Sequence, residues 1–422
     1  MTANNRTFTD FLNESAPRLA KALPEGALKA MNVPYRGWQR MGLLRYLVAI
    51  IVMASLPILM DKDIIPVLNG SFGINILFIT GYWILLTLGL SVVVGLAGLL
   101  DLGYVAFFML GAYTTALMTD SGSPEQFHIV VWPTWAALPF AVIVSMAAGL
   151  LIGAPTLRLR GDYLAIVTLG FHEIVRQAAS NLAIVNASRG IAAIPSPEFN
   201  LFGLNFEFGL DNEYYWWFLL IPAILGAVIM IKRLDHSRVG RYWTAIREDE
   251  VAAAAMGVPV VKMKLWAFVI GASTSGVAGW IYAVNISYIA PNSFPLLQSI
   301  LVLCAVVIGG LGSISGAVLG AVLITTLPEV VRQLSDQQKI FGFDPETGRI
   351  AIFGLALIVV MIYRPGGLLA ARRRRTELSE AGLSDAVSGT ADEPTTSDHS
   401  TSDTTTIDEV IDDRPAGEDH TH

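Results

Sequence analysis

The chain has little charge and almost no thiol chemistry. Asp, Glu, Lys and Arg make up only 15% of its 422 residues, well below the roughly 25% of soluble domains. Cys304 is the only cysteine, so no intrachain disulfide can form. Its place in an apolar run reads as a small buried hydrophobe. The patterns of catalysis are also missing. No G-x-x-x-x-G-K-[ST] occurs, so the chain does not hold ATP in a P-loop. His172-Glu173-Ile174-Val175-Arg176 starts like a zinc-protease motif, but Arg176 stands where the second histidine belongs, and the metal reading fails. Neither Gly271–Gly276 nor Gly312–Gly316 places a serine as G-x-S-x-G requires. The histidines do not cluster within the apolar runs, and no pattern for binding DNA or RNA appears. These absences leave no catalytic residue, no metal site and no nucleic-acid partner to expect.

What is present in excess is apolar length. With 53% apolar residues and a mean hydropathy of +0.55, the composition implies an all-α integral membrane protein in a lipid bilayer. A spanning helix needs about 20 apolar residues. Residues 41–60, 73–97, 131–153, 214–231, 264–285 and 350–363 meet or approach that, the last bounded by Arg349 and Arg364. The runs 103–119, 161–179, 298–310 and 313–331 are shorter or broken by Gly and polar residues. About ten spans result, or eight plus a re-entrant hairpin if 298–331 turns back within the membrane; either leaves the parity unchanged. The orientation follows from the basic residues. Arg36, Arg40, Arg45, Arg158, Arg160, the island 232–264, Arg364 and the run Arg372–Arg375 fall on one side when the N-terminus is inside. The other side holds only Lys62, Arg189, Arg332, Lys339 and Arg349. Both termini are therefore expected in the cytoplasm.

The net charge of −7 is split unevenly. Residues 376–422 carry thirteen Asp/Glu against one Arg, a contribution of −12, which leaves +5 for residues 1–375. The organisation expected is a cytoplasmic N-terminal extension over 1–40, a membrane domain over 41–370 that carries the polar island 232–264, and a basic cluster followed by an acidic tail over 371–422. The tail has almost no large apolar residue and reads as disordered. The N-terminal extension does not read as a cleavable signal. Its segment Phe8–Met31 could form an amphipathic surface helix interrupted at Pro17 and Pro24.

Three features stand out within the membrane domain. First, the polar island Lys232–Lys264 cannot lie in lipid. Within it, Arg247-Glu248-Asp249-Glu250 leads into Val251–Met256, then Gly257 and Pro259; acidic residues in a first turn and Gly followed by Pro mark the start and stop of a short helix. Second, Gly312, Gly316 and Gly320, and likewise Gly271, Ser275 and Gly279, form small-residue ladders on which helices can approach closely in lipid. Such ladders serve packing or line a moving interface. Third, a helix beginning near Gly161 would carry His172 roughly 16 Å deep at about 1.5 Å per residue, near the middle of the bilayer. Glu173 and Arg176, three apart, can pair there and offset the cost of ionised groups in lipid. His172, Glu173 and Arg176 are thus either part of a pathway or gate, or a structural pair buried between helices. The outer stretch from Asn181 to Asp211 is too long for a tight turn; it covers the outer mouth, meets an external partner or merely connects.

Several ordered blocks resemble the LivM-type permeases of ABC importers for branched-chain amino acids, over about residues 75–370. They are Gly89–Gly98 (GLSVVVGLAG), Leu102–Phe107, Gly111–Tyr113, Leu157–Gly170 (LRLRGDYLAIVTLG), Glu173–Arg176, Gly240-Arg241, Arg247–Glu250, Gly309–Ser313 and Arg364–Leu368. The resemblance implies that the island is the cytoplasmic loop whose short helix docks on an ATPase, with Arg247, Glu250, Ala252, Ala253 and Gly257 as its coupling residues. Val251 stands where the family usually has Glu, with Glu250 one residue earlier. Ala187-Ser-Arg-Gly190 replaces a Gly-Gly-Pro-Asn-Gly run, and Asp101 replaces a small or apolar residue.

The resemblance further implies a bacterial inner-membrane protein with no enzyme activity and no cofactor of its own, ATP being used by partner subunits. Those partners are a homologous LivH-type permease, two cytoplasmic ABC ATPases and an extracytoplasmic binding protein. The substrate would be a branched-chain or other hydrophobic amino acid, with urea or short amides as the alternative. A self-sufficient secondary transporter or channel would show coupling carboxylates in several spans, and Glu173 has few companions. A membrane enzyme lacks its nucleophile or metal.

Overall fold

The computed structural model describes residues 70–119, 132–156, 162–201, 204–207, 213–337, and 354, 358, 362 and 367–369 near the C-terminal end. Of the sequence-predicted features, the span 41–60, the span 350–363 apart from residues 354, 358 and 362, the N-terminal extension and the acidic tail lie outside the described residues, as do both termini.

Within these limits the chain is mainly helical. The order is α1 (Gly70–Leu90, continued by a π-helical turn Ser91–Leu96), α2 (Val105–Met118), α3 (Thr134–Thr156), α4 (Asp162–Asn181), β1 (Ile191–Ala192), β2 (Glu198–Leu201), β3 (Leu204–Glu207) and α5 (Glu213–Asp235). After these come α6 (Arg238–Glu248), α7 (Glu250–Ala255), α8 (Val260–Ile286), β4 (Tyr288–Ile289), α9 (Leu296–Gly309) and α10 (Ile314–Gln337). Five segments are long and apolar enough to cross a membrane: Asn75–Leu96, Thr134–Pro155, Trp216–Asp235, Val260–Ile286 and Pro291–Gly309.

The remaining expected spans differ in instructive ways. The run 103–119 yields only the 14 residues of α2, because the chain before it is a non-helical loop, Ala97–Tyr104, with Gly98 and Leu100 exposed and Asp101, Gly103 and Tyr104 buried. The run 161–179 does form a full helix, α4, but its charges keep it out of the apolar set. The pair 298–310 and 313–331 forms α9 and α10, joined by the turn Gly310–Ser313.

The centre of the bundle is α8, which packs on α1, α2 and α3. Glycine makes this possible. A Cβ on Gly279 would lie 2.4 Å from the Phe108 carbonyl oxygen and 2.8 Å from the Ala112 nitrogen of α2. On Gly276 it would meet the Ala141 carbonyl of α3 at 2.9 Å. A side chain on Gly271 would strike Val93 of the π-helical turn. Gly89 leaves room for a hydroxyl cluster in which Tyr104 Oη donates to the Gly271 carbonyl at 2.7 Å beside Thr274. Polar bonds between helices supplement the packing: Ser145 Oγ of α3 donates to the Phe107 carbonyl (3.0 Å), and Trp280 Nε1 to that of Thr134 (2.9 Å).

The ladder Gly312, Gly316 and Gly320 is not continuous on one helix. Gly316 and Gly320 face Gly309 and Ala305 of α9, so they pack α10 on α9. Gly312 lies in the turn before α10 at φ +78°, against Gly95.

The two ends of α8 define two poles of the structure. One carries the polar island, α6 and α7. The other carries the segment Ala183–Ile194, where β1 pairs antiparallel with β4. Beneath this collar Tyr82, Phe108, Tyr282 and Phe294 form an aromatic cluster with ring centroids 5.1–5.9 Å apart. The stretch 181–194 is thus fastened rather than a free connector: Asn186 Nδ2 donates to the Gly190 carbonyl (2.8 Å), and Tyr288 Oη to that of Arg189 (3.0 Å).

A Gly279→Ala substitution should destabilise the protein by about 1–3 kcal/mol, because the new methyl meets backbone that cannot swing away. Gly226→Ala in α5, with nothing within 4 Å of the added carbon, should be close to neutral. Thermal unfolding of the two variants in detergent checks the contrast.

Candidate functional site

The island is built by two side-chain caps. Ser237 Oγ accepts from the backbone of Val239 (3.1 Å) and Gly240 (3.4 Å) and starts α6. Asp249, in extended conformation, accepts through Oδ1 from Val251 (2.8 Å) and Ala252 (3.0 Å) and starts α7. Each cap satisfies amide donors that a helix start leaves free. The acidic run is therefore divided: Arg247 and Glu248 close α6, Asp249 is the break, and Glu250 opens α7. Gly257, at φ +84°, ends the short helix, with its amide on the Ala254 carbonyl and that of Val258 on Ala253. This is a glycine stop, for which a left-handed residue is needed.

Three bonds tie the island to the bundle. Trp243, fully buried on α6, donates through Nε1 to the Met263 carbonyl at 2.7 Å. Lys264 of α8 is buried and donates through Nζ to Glu250 Oε2 at 2.7 Å. Arg247 donates through Nη1 to the Gly95 carbonyl at the end of α1, also at 2.7 Å.

These contacts sort the residues expected to couple. Glu250 and Ala253 turn inward, the first bonded to Lys264 and the second buried, while Arg247 reaches back to the Gly95 carbonyl yet stays exposed. Ala252 and Gly257 are exposed. The outward surface of α7 is completed by two residues that the charge pattern did not single out as contacts, Val251 at 65% exposure and Met256 at 85%. An apolar pair inside an otherwise charged loop was the available signal. A methionine this exposed adapts readily to a partner surface.

Helix α4 separates the second group. His172 is fully buried. Glu173 and Arg176 lie half-exposed on the helix surface and join in a bidentate pair, Nε to Oε2 at 2.9 Å and Nη2 to Oε1. Tyr163, Ile166 and Ile174 of the same helix are more than 60% exposed. The structure brings Glu173 and Arg176 together and turns His172 away from them. Thr168 anchors the back of α4: its Oγ1 accepts from the Leu102 amide at 3.1 Å.

A helical protein with several membrane-crossing segments, a folded polar island at one pole and a charge pair on an otherwise apolar helix face has the make-up of a polytopic transport subunit. The chain belongs to the family described as branched-chain amino acid transport system / permease component, whose model matches residues 73–361. It is 37% identical to the high-affinity branched-chain amino acid transport system permease protein LivM of Salmonella typhimurium over 333 residues, 74% of this chain and 73% of that one. To LivM of Escherichia coli it is 36% identical over 354 residues, 79% and 76% of the two chains. LivH of Salmonella typhimurium is also similar, 25% identical over 299 residues, 68% of this chain and 90% of that one. No solved structure matches.

The Lys264–Glu250 pair should be asymmetric. Glu250 is about one-third exposed and can be hydrated alone, whereas Lys264 cannot. Glu250→Ala should therefore cost about 2 kcal/mol, less than a fully buried pair would lose, and more than Lys264→Met. Unfolding midpoints of the two variants in detergent test the order.

Proposed function

We infer that this chain is one permease subunit of an ATP-driven, binding-protein-dependent importer of branched-chain or other hydrophobic amino acids in the bacterial inner membrane. The observation that carries the reading is the outward apolar surface Val251–Met256, on a short helix held to α8 by Glu250 and joined to α6, which Arg247 ties to the end of α1. A surface that is apolar, small-residue rich and rigidly mounted suits a docking lever. The family and the LivM relatives supply the class of cargo, and the LivH relative the kind of second permease that completes the pathway.

In this reading the island lies in the cytoplasm, about ten spans place both termini there, and the collar faces outward. Two ATPase subunits dock on the island of this chain and its equivalent on the second permease. ATP is bound and hydrolysed by those partners, and this chain needs no cofactor. An extracytoplasmic binding protein delivers the amino acid at the collar pole. The Glu173–Arg176 pair lies on the face of α4 that meets the pathway or the second permease. Lipid would cover an ionised pair there only at a cost of some kcal/mol, while water or a polar partner covers it readily.

In membranes containing all subunits, Met256→Arg should abolish co-purification of the ATPases and lower amino-acid uptake at least tenfold. Intact association and uptake would refute the docking surface. The α4 reading has a separate test. Ile174→Cys, made in a Cys304→Ser background, should react with a water-soluble maleimide in the assembled importer once ATP is bound. A side chain sealed in lipid would stay unlabelled in every state.

A further inference from the structure

The partly buried loop Ala97–Tyr104 is bonded to more helices than any spacer needs. At its start, Arg247 of the island donates to the Gly95 carbonyl. That oxygen belongs to the π-helical turn at the end of α1, where terminal carbonyls lack helical partners. The stem of Arg247 lies on Gly98, which stands at φ +71° and where a Cβ would be 2.8 Å from Arg247 Cγ. Three residues beyond Gly98, the chain turns inward. Asp101, fully buried, accepts the Gly103 amide on Oδ1 (2.9 Å). The Leu102 amide donates to Thr168 Oγ1 of α4, and the Leu102 carbonyl accepts from Ser299 Oγ of α9 at 2.6 Å. Gly103 lies so tightly on α4 that a Cβ would be 1.9 Å from the Thr168 carbonyl oxygen. Three residues separate Gly98 from Leu102, too few to absorb a shift of the island as slack.

We propose that Ala97–Tyr104 is the transmission element of this permease, and that Arg247 and Thr168 are its two positioning residues. Arg247 grips the end of α1 through the Gly95 carbonyl, so that motion of the island moves the start of the loop. Thr168 couples the far end of the loop to α4. It sits five residues before Glu173, about 7–8 Å along the helix. The route therefore joins the docking pole to the helix carrying the charge pair without passing through α8. A chain of packed and hydrogen-bonded groups of this kind is the physical form that coupling between distant sites takes, and coupling measurements decide whether it operates.

The proposal rests on the island being the ATPase docking site, and its test is built to fail separately. The readout is tritiated leucine taken up per ATP hydrolysed by the complete importer, with its binding protein, in proteoliposomes. Arg247→Gln and Thr168→Val should each keep both ATPases and their hydrolysis, yet lower that ratio about tenfold. The double variant should be no worse than either single one, because both cut one route. Thr168→Ser keeps the accepting oxygen and should restore the ratio, which a general folding defect at this position would not allow. A wild-type ratio in either single variant, multiplied losses in the double variant, or a Thr168→Ser variant as impaired as Thr168→Val would each overturn the transmission role. Loss of the docking reading would instead show as retained ATPases in Met256→Arg, whatever the ratio in the Thr168 variants.

Discussion

The approach of α8 to backbone atoms of α1, α2 and α3 is the constraint on which the rest of the structure depends. In lipid, apolar side chains gain nothing by leaving one apolar surface for another, so helices hold together by close packing and a few polar bonds. Gly271, Gly276 and Gly279 bring α8 near enough for both. With side chains removed there, hydroxyls such as Tyr104 Oη can reach carbonyls that longer contacts would leave distant. Because α8 runs from the island to the collar, fixing it also fixes the position of each pole relative to the bundle.

The island follows from that frame. A charged segment leaving a membrane helix has no reason in itself to fold close to the protein. Here the first turns of α8 supply a buried ammonium, Lys264, and a backbone carbonyl, Met263, and the island presents Glu250 and Trp243 to them. Glu250 is thereby spent on attachment, and the outward face of α7 is left to Val251 and Met256, while Arg238, Arg241, Glu248 and Lys262 keep the rest of the island's surface charged. On α7 itself, charge serves as the support and apolar residues face outward. This also gives a physical account of Val251 in place of an acidic residue: with Glu250 held by Lys264, the next position is free to present an apolar side chain outward.

Much of this was legible in the sequence. Apolar runs located α1, α3, α5 and α8, since length and hydropathy suffice for a membrane helix. Gly257 and Pro259 marked the end of α7 through their own backbone preferences. What sequence pattern could not supply was side-chain direction across a break. Arg247 and Glu250 looked like neighbours in one acidic first turn, but Asp249 interrupts the helix and sends them to different elements. Gly312 fitted a four-residue ladder by spacing alone, although the turn before α10 takes it out of register with Gly316. Loop Ala97–Tyr104 was invisible as a structural element because its partners, Thr168 and Ser299, lie 66 and 197 residues beyond Leu102. The collar was equally hidden, since strands of two residues leave no periodic trace.

Helix α4 is where these strands of argument meet. On its inner side Thr168 and Gly103 hold it to the loop, and His172 is buried. On its outer side the Glu173–Arg176 pair satisfies itself, at the single turn where both side chains reach each other. A helix fastened at one side by directional bonds and carrying a self-contained charge pair on the other can shift without stranding an ion in lipid, because the pair moves as a unit. A lone carboxylate or guanidinium would resist such a shift by its own solvation. The pairing thus makes the polar face compatible with motion, and the bond at Thr168 gives that motion a point of application.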